Sequence, residues 1–134
     1  MRRILDASVI FKWFVDEVGS ETAREYLQVF LEGEDKILIP TLLFYELGNV
    51  CKKRSLPVHD VSKVMELFQR LPFEKEDIGF TSFRKIYQNA SEYNLSFYDA
   101  SYVTLMQKNN CELVTADKAL YNKLKTAFSH IKLL

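Results

Sequence analysis

The sequence predicts a single α/β domain with a mostly parallel central sheet of four to five strands, flanked by helices. Short apolar runs alternate with segments of helical periodicity, and no glycine- or proline-rich linker interrupts them. This alternation is typical of layered α/β domains. The chain of 134 residues has the length of one domain, so we expect residues 1–134 to fold as one unit.

The first half of the chain contains two clear strands. The predicted elements are a strand over 3–6, a helix over 8–15, a helix from 20, a strand over 36–39, a helix from 42 to about 54 and a helix over 60–70. Ser20 and Thr41 are placed to cap the helices that follow them. Pro57 and Pro72 bound the last of these helices, because proline interrupts helical hydrogen bonding.

The second half contains the clearest strand, residues 111–115 (CELVT). The other predicted elements are an edge strand over 73–78, helices over 81–93, 97–108 and 118–125, and a last short run over 131–134. Residues 73–78 are too charged for the middle of a sheet, which favours an edge position. Ser96 precedes the helix over 97–108 and can cap it.

The composition limits the classes of function. Lysine plus arginine total 18 and aspartate plus glutamate total 18, so no global field attracts a polyanion. Cys51 and Cys111 have neither the number nor the spacing of a disulfide framework or a zinc site. The sequence shows no signal peptide, and no apolar stretch approaches the roughly 18 residues of a membrane span. We therefore expect a cytoplasmic protein that does not enter a membrane.

Four acidic residues fall at the same end of the predicted sheet. Asp6 ends the first strand, Glu46 lies in the second turn of a helix that follows a strand, Asp99 lies in the first turn of its helix, and Asp117 follows the CELV strand. Ligands of open parallel sheets bind beyond the carboxyl ends of the strands. Such a group of like charges is unfavourable unless a cation binds it. Oxygen ligands favour Mg²⁺ or Mn²⁺, which can activate water for attack on a phosphodiester. Ser8 and Thr115 are hydroxyls suited to support the ligands or orient water.

The sequence resembles the PIN-domain ribonucleases, especially the VapC-like toxins of prokaryotic toxin–antitoxin pairs. The resemblance covers nearly the whole chain and rests on four short motifs: Asp6-Ala7-Ser8, Glu46 in the helix after Pro40-Thr41, Tyr98-Asp99-Ala100, and LVTAD over 113–117.

The resemblance implies which residues form the site. It assigns Asp6, Glu46, Asp99 and Asp117 to a catalytic, metal-binding acidic site that uses Mg²⁺ or Mn²⁺ to hydrolyse RNA. It assigns Ser8 and Thr115 to supporting polar positions. Many members carry a further acid or asparagine after the last aspartate, and Asn122 is the nearest candidate for a fifth ligand.

Several of these residues have simpler interpretations. Asp99 has capping-box spacing from Ser96, and Asp117 could be a helix N-cap. Glu46 could lie on the solvent edge of its helix with Asn49 and Lys53. The basic run 52–54 is typical of a solvated helix end. Its functional alternative is a contact with the RNA backbone, together with Lys12 and Lys118, which are nearer the acids in sequence.

The unusually apolar first helix suggests that the protein has an interface with a partner. Its residues Val9, Ile10, Phe11, Trp13, Phe14 and Val15 leave few polar positions, and a helix that is apolar all round needs cover on all sides. Part of that cover could come from a partner, and Phe44-Tyr45 offers a second apolar surface. By resemblance, we expect a homodimer and a VapB-like antitoxin.

Three other functional classes share some of these sequence features. A haloacid-dehalogenase-type phosphatase needs a second aspartate two residues after the first, where this chain has Ser8. A receiver domain needs a phosphoacceptor aspartate after a central strand, and the third predicted strand, over 73–78, is too polar to be central. A PIN-like module without activity would only bind RNA or protein, but the four acids argue against it. A PIN nuclease without an antitoxin remains the nearest alternative.

Overall fold

The computed structural model describes all 134 residues as an α/β fold built on a five-stranded sheet. The strands are β1 Arg2–Leu5, β2 Lys36–Pro40, β3 Glu74–Glu76, β4 Glu112–Thr115 and β5 Ile131–Leu133. They lie in the order β3-β2-β1-β4-β5, and every neighbouring pair is parallel. The predicted fold class is confirmed, and the charged third run is an edge strand as expected.

Seven α-helices connect and cover the strands. They are α1 Ala7–Ile10, α2 Ser20–Leu31, α3 Leu42–Lys53, α4 Val58–Arg70, α5 Phe83–Tyr93, α6 Phe97–Asn109 and α7 Lys118–Leu124. Short 3₁₀ turns follow α1 over Phe11–Trp13 and precede α5 over Phe80–Ser82. None of these helices combines the length and the apolar character that crossing a membrane requires.

Both faces of the three central strands, β2, β1 and β4, are buried, as is typical of parallel sheets. Successive strand residues point to opposite faces, so Leu5 packs with α1, α2 and α3, whereas Ile4 packs with α6 and α7. In β2, Ile37 and Ile39 belong to the first cluster and Leu38 to the second. The two cores hold β1 and β4 rigidly at the centre of the molecule.

The strand order creates a crevice beside β1. From β1 the chain builds outward through β2 and β3, and it then returns to place β4 on the other side of β1. The connections from β1 and from β4 therefore leave the sheet in opposite directions. In open α/β sheets this reversal opens a site at the carboxyl ends of the two strands.

Two predicted helix caps are wrong in detail. Ser20 is the first residue of α2 and does not cap it; Gly19 is the N-cap, with a φ of 88° that favours glycine. The Ser20 hydroxyl donates to the Val15 carbonyl at 2.7 Å and accepts from the Glu17 amide at 3.0 Å. Thr41 occupies the N-cap position of α3, but its hydroxyl donates to Asp77 at 3.2 Å. Each hydroxyl therefore holds a neighbouring loop.

The predicted boundaries elsewhere are close, with one change of helix type. The predicted helix over 8–15 begins at Ala7, and its α-helical part ends at Ile10 before the 3₁₀ turn. The helix α4 begins at Val58, directly after Pro57, and therefore two residues before the prediction.

The first helix is covered within the chain itself. Val9, Ile10, Phe11 and Trp13 are each no more than 5% exposed, and the Trp13 indole donates to the Ala23 carbonyl of α2 at 2.8 Å. These four residues therefore need no partner for cover, whereas Phe14 and Val15 are only partly buried. The helices α2 and α3 supply that cover, and sequence periodicity alone does not reveal which elements pack together.

Candidate active site

A cleft of about 490 Å³ opens at the carboxyl ends of β1 and β4. All four acids singled out in the sequence line it: Asp6, Glu46, Asp99 and Asp117. Four segments that are distant in sequence thus bring their carboxylates to one cavity. The other residues of its wall come mainly from one face of α3 and from the first two turns of α6.

Asp6 follows β1 directly and is the N-cap of α1. Its Oδ1 accepts from the backbone amides of Ser8 at 3.0 Å and Val9 at 3.3 Å, and also from the Ser8 hydroxyl. Only 7% of Asp6 is exposed. Burial raises the pKa of Asp6 to about 6, although the hydrogen bond from the Ser8 hydroxyl opposes this shift. The structure therefore fixes this carboxylate in place but stabilises its charge incompletely.

Ser8 and Thr115 join the ends of the two central strands. The Ser8 hydroxyl accepts from the Ala116 amide at 2.9 Å and lies 3.5 Å from the Thr115 hydroxyl. The Thr115 hydroxyl in turn accepts from the Asp117 amide at 3.1 Å. These contacts fix Asp6 and Asp117 relative to each other. Ser8 also lines the cleft, whereas Thr115 is fully buried behind it.

Glu46 lies on the face of α3 that forms one wall of the cleft. Leu42, Glu46, Asn49 and Lys53 recur at helical spacing, and all four line the cavity. The Glu46 Oε1 is buried and has no hydrogen-bond partner. Burial raises the pKa of Glu46 to about 7; the nearby Tyr102 hydroxyl opposes this shift, and the charges of Asp6 and Asp99 add to it. Glu46 is therefore not a solvent-edge residue of α3.

Asp99 and Asp117 are both at helix starts, as their simpler interpretations require. Asp117 Oδ1 accepts from the amides of Ala119 at 2.9 Å and Leu120 at 3.1 Å, which makes Asp117 the N-cap of α7. Ser96 caps α6 by accepting from the Asp99 amide at 3.0 Å.

The capping role does not occupy the Asp99 carboxylate. In a full capping box this carboxylate would accept from the Ser96 amide, and the structure has no such bond. Burial and the charge of Asp117 raise the pKa of Asp99, whereas the Ser96 side chain and the charge of Lys123 oppose this shift. The Asp99 carboxylate therefore lies close enough to Asp117 for the two charges to repel each other in the cleft.

None of the four acids forms an ion pair. The salt bridges of the protein involve other carboxylates, and no lysine or arginine lies within 4.0 Å of these four. No three of them are close enough together to hold one metal ion directly. An all-oxygen donor set with a buried, unpartnered Glu46 Oε1 nevertheless fits Mg²⁺ or Mn²⁺, because Mg²⁺ keeps several of its waters and can be held through them.

The sequence matches the PIN domain over residues 3–125. The chain belongs to the PIN domain family. No curated protein sequence matches it.

Three solved structures are similar to this PIN domain. PAE2754 from Pyrobaculum aerophilum is 26% identical, with a TM-score of 0.66 over 96% of this chain and 91% of that one. VapBC2 from Rickettsia felis, bound to a DNA fragment from its promoter, is 14% identical, with a TM-score of 0.73 over 100% and 99%. VapC20 from Mycobacterium tuberculosis, a sarcin–ricin loop cleaving toxin, is 11% identical, with a TM-score of 0.70 over 94% and 95%. The last two share the fold.

Three residues considered in the sequence lie outside the cleft of this PIN domain. The Lys12 ammonium is bound to Glu17 at 2.9 Å and to the Val18 carbonyl at 2.8 Å. Lys118 is exposed beside Asp117 but does not line the cavity, and neither does Asn122. Lys12 is thus committed to a structural ion pair, and the geometry gives no support to Asn122 as a fifth ligand.

Sequence reasoning missed Tyr102, and it favoured a solvated helix end over an RNA contact for Lys53. Tyr102 lines the cleft although it is only 1% exposed, and its hydroxyl has no hydrogen-bond partner. Lys53 lines the same cleft and forms no ion pair, whereas its spacing suggested a solvated helix end. The spacing of Glu46, Asn49 and Lys53 on one helical face was the available signal for Lys53. Tyr102 gave none, because α6 is buried on nearly all sides from Ala100 to Met106.

Proposed function

We propose that this PIN domain is a metal-dependent endoribonuclease that hydrolyses RNA phosphodiester bonds, and that residues 1–134 form a single nuclease domain. The observation that carries the proposal is the convergence on one cleft of four carboxylates, none of which forms an ion pair. A structural role does not explain that arrangement, since three of these groups have raised pKa values in the folded protein.

The proposed cofactor is Mg²⁺ or Mn²⁺, held by Asp6, Glu46, Asp99 and Asp117. When bound, such a cation polarises a phosphoryl oxygen and makes water a nucleophile at neutral pH. Asp6 is the most rigid of the four, because three hydrogen bonds converge on its Oδ1. Ser8 and Thr115 maintain this position. The residues of the protein thus supply a fixed set of oxygen ligands, which is the main requirement for positioning a reacting phosphate.

The RNA would enter along the α3 wall of the cleft. Lys53 offers a positive charge and Asn49 a hydrogen-bonding amide on that wall. Tyr45 and Tyr98 also line the cleft, and they are 71% and 61% exposed. Exposed aromatic rings can stack with unpaired bases. Single-stranded RNA is the substrate that best suits this combination.

We further propose that the protein is the toxin of a VapBC-type pair, forming a homodimer and binding a VapB-like antitoxin. Phe44 and Tyr45 are more than half exposed and line a groove of about 370 Å³ between α3 and α4. Phe83, Tyr87 and Phe97 form a second exposed aromatic group. Exposed apolar surfaces of this kind are typical of protein interfaces. The proposal of a homodimer and an antitoxin therefore rests on these two surfaces and not on the first helix.

RNA cleavage with and without metal tests the proposed activity. The purified protein, freed of any antitoxin, should cut single-stranded RNA in Mg²⁺ or Mn²⁺ and stop in EDTA. Asp6→Asn, purified in parallel, should lose activity by roughly 10³-fold, because metal-assisted charge stabilisation contributes several kcal/mol. Asparagine retains helix-capping ability, so this variant should fold and should reveal any contaminating nuclease. Cleavage that survives EDTA, or equal cleavage by Asp6→Asn, would contradict the proposal.

A further inference from the structure

Two buried polar atoms in the wall of the cleft lack hydrogen bonds. They are the Tyr102 hydroxyl of α6 and the Glu46 Oε1 of α3. Leaving a buried polar group unsatisfied typically destabilises a protein by about 1–3 kcal/mol. Phenylalanine would fill the position of Tyr102 without that loss. The hydroxyl of Tyr102 therefore calls for an explanation other than packing.

The two side chains are neighbours across the cleft wall. The Tyr102 hydroxyl approaches the Glu46 carboxylate closely enough to lower the pKa of Glu46 as a hydrogen-bond donor, and the charge of Glu46 raises the pKa of Tyr102. The contact nevertheless falls short of the geometry of a standard hydrogen bond. Tyr102 lies one helical turn after Asp99 on α6, so both residues belong to the same face of that helix. A small movement of the Glu46 side chain would allow the hydroxyl to donate to its carboxylate. No other unpartnered donor is buried in the wall of the cleft.

We infer that Tyr102 is a positioning residue for Glu46: its hydroxyl donates to one carboxylate oxygen and so orients the other toward a divalent cation in the cleft. This inference rests on the proposed metal-dependent function. A hydrogen bond to one oxygen of a ligating carboxylate limits its rotation and holds the other oxygen toward the cation. The cavity wall then contributes to metal affinity through a residue that never contacts the metal.

The test is the affinity of the full chain for Mn²⁺, measured by calorimetry for the wild type and for Tyr102→Phe. The variant should bind Mn²⁺ roughly 10-fold more weakly, as is typical when a group that orients a metal ligand is removed. Its melting temperature without metal should be unchanged or higher, because the unsatisfied hydroxyl is gone. Tyr98→Phe is the matched control, since it removes a hydroxyl from another tyrosine of the same cleft. It should bind Mn²⁺ as the wild type does.

A second comparison shows whether Tyr102 acts through Glu46. In a Glu46→Gln background, Tyr102→Phe should cause no further loss of Mn²⁺ affinity; a further loss of the same size would overturn the inference. Unchanged Mn²⁺ affinity in the Tyr102→Phe single variant would overturn it as well, while the proposed nuclease function would stand. If the wild type binds no Mn²⁺ at all, the proposed metal-dependent function and this inference both fail.

Discussion

Acidic side chains lie at both ends of the parallel sheet, and the two ends differ in how they compensate the charge. At the amino end, Arg3 of β1 pairs with Asp35 at 3.1 Å and with Glu112 at 3.2 Å, and Arg2 pairs with Glu74 at 2.6 Å. At the carboxyl end, none of the four acids has such a partner. The fold therefore has the means to neutralise buried carboxylates and does not use them in the cleft.

Helix N-termini provide only part of the missing compensation. Asp6 and Asp117 cap α1 and α7, and Asp99 lies in the first turn of α6. Each helix start carries only a partial positive charge. That charge does not prevent the pKa values of Asp6 and Asp99 from rising. Proteins retain such locally unfavourable arrangements chiefly at functional sites. The difference between the two ends of the sheet therefore separates acids that stabilise the fold from acids whose charge a bound cation would compensate.

The largest expected effect is a pH dependence of opposite sign from that of paired acids. The pKa of Asp6 rises from 3.8 to about 6 on folding. Between these values the folded protein holds a proton that the unfolded chain has released, so stability falls as pH rises. Relative to Asp6→Asn, the metal-free wild type should lose roughly 2–3 kcal/mol of unfolding free energy between pH 4 and pH 7. Urea denaturation of both proteins across this range gives the difference.

Metal should remove much of this pH dependence, because a bound cation compensates the charge that the proton otherwise neutralises. The same denaturation series in Mg²⁺ is the control. The difference in unfolding free energy between the metal-free wild type and Asp6→Asn could instead stay constant from pH 4 to pH 7. That result would show that folding does not raise the pKa of Asp6. The contrast between the two ends of the sheet would then lose its main support.

The second prediction compares neutralisation of one acid at each end. Asp35→Asn should lower the unfolding free energy by about 2 kcal/mol, because it removes the buried charge that forms ion pairs with Arg3 and with the N-terminal ammonium. Asp99→Asn should leave the metal-free stability unchanged or raise it, since Ser96 caps α6 through the Asp99 backbone amide and not through its carboxylate. Melting temperatures of both variants without metal test the difference in sign.

The response to Mg²⁺ completes this comparison. Asp35→Asn should gain as much stability from Mg²⁺ as the wild type, and Asp99→Asn should gain less, because stabilisation by a ligand follows its affinity for the folded state. If Asp99→Asn loses metal-free stability yet keeps the full Mg²⁺ response, Asp99 is only part of a helix start.

The sequence is sufficient for the sheet and for the placement of the acids, for a definite reason. Parallel strands end at a common edge, so a residue directly after a strand, such as Asp6 or Asp117, has its position set by topology. Glu46 and Asp99 follow from helical register once the starts of α3 and α6 are known. These inferences need only local periodicity and chain order.

Packing between distant elements is where sequence reasoning fails. The sequence shows that the first helix is apolar but not that α2 and α3 bury it. Tyr102 is a second example, because the burial of its hydroxyl beside Glu46 depends on how α6 packs against α3. Ser20 fails for a related reason: its hydroxyl is bound to the preceding loop and is not available as a cap. Each error concerns which surfaces meet.

The smallest expected effect concerns two adjacent lysines at the end of α3. Lys52 and Lys53 are both exposed and form no ion pairs, but only Lys53 lines the cleft. Lys53→Gln should lower kcat/KM for a short single-stranded RNA about threefold to fivefold, which corresponds to ~0.5–1 kcal/mol for an exposed charge contact. The salt dependence of substrate binding should weaken by about 0.7 in logarithmic slope if one phosphate contact is lost. Lys52→Gln makes the same charge change in the same helical turn, so any general effect on net charge or on the helix dipole is shared by the two variants. Equal losses in both would mean that neither lysine makes a specific contact.

Lys118→Gln should have little effect on kcat/KM, because Lys118 lies beside the cleft without lining it. A loss in Lys118→Gln larger than that in Lys53→Gln would indicate that the RNA passes the start of α7 and not the α3 wall.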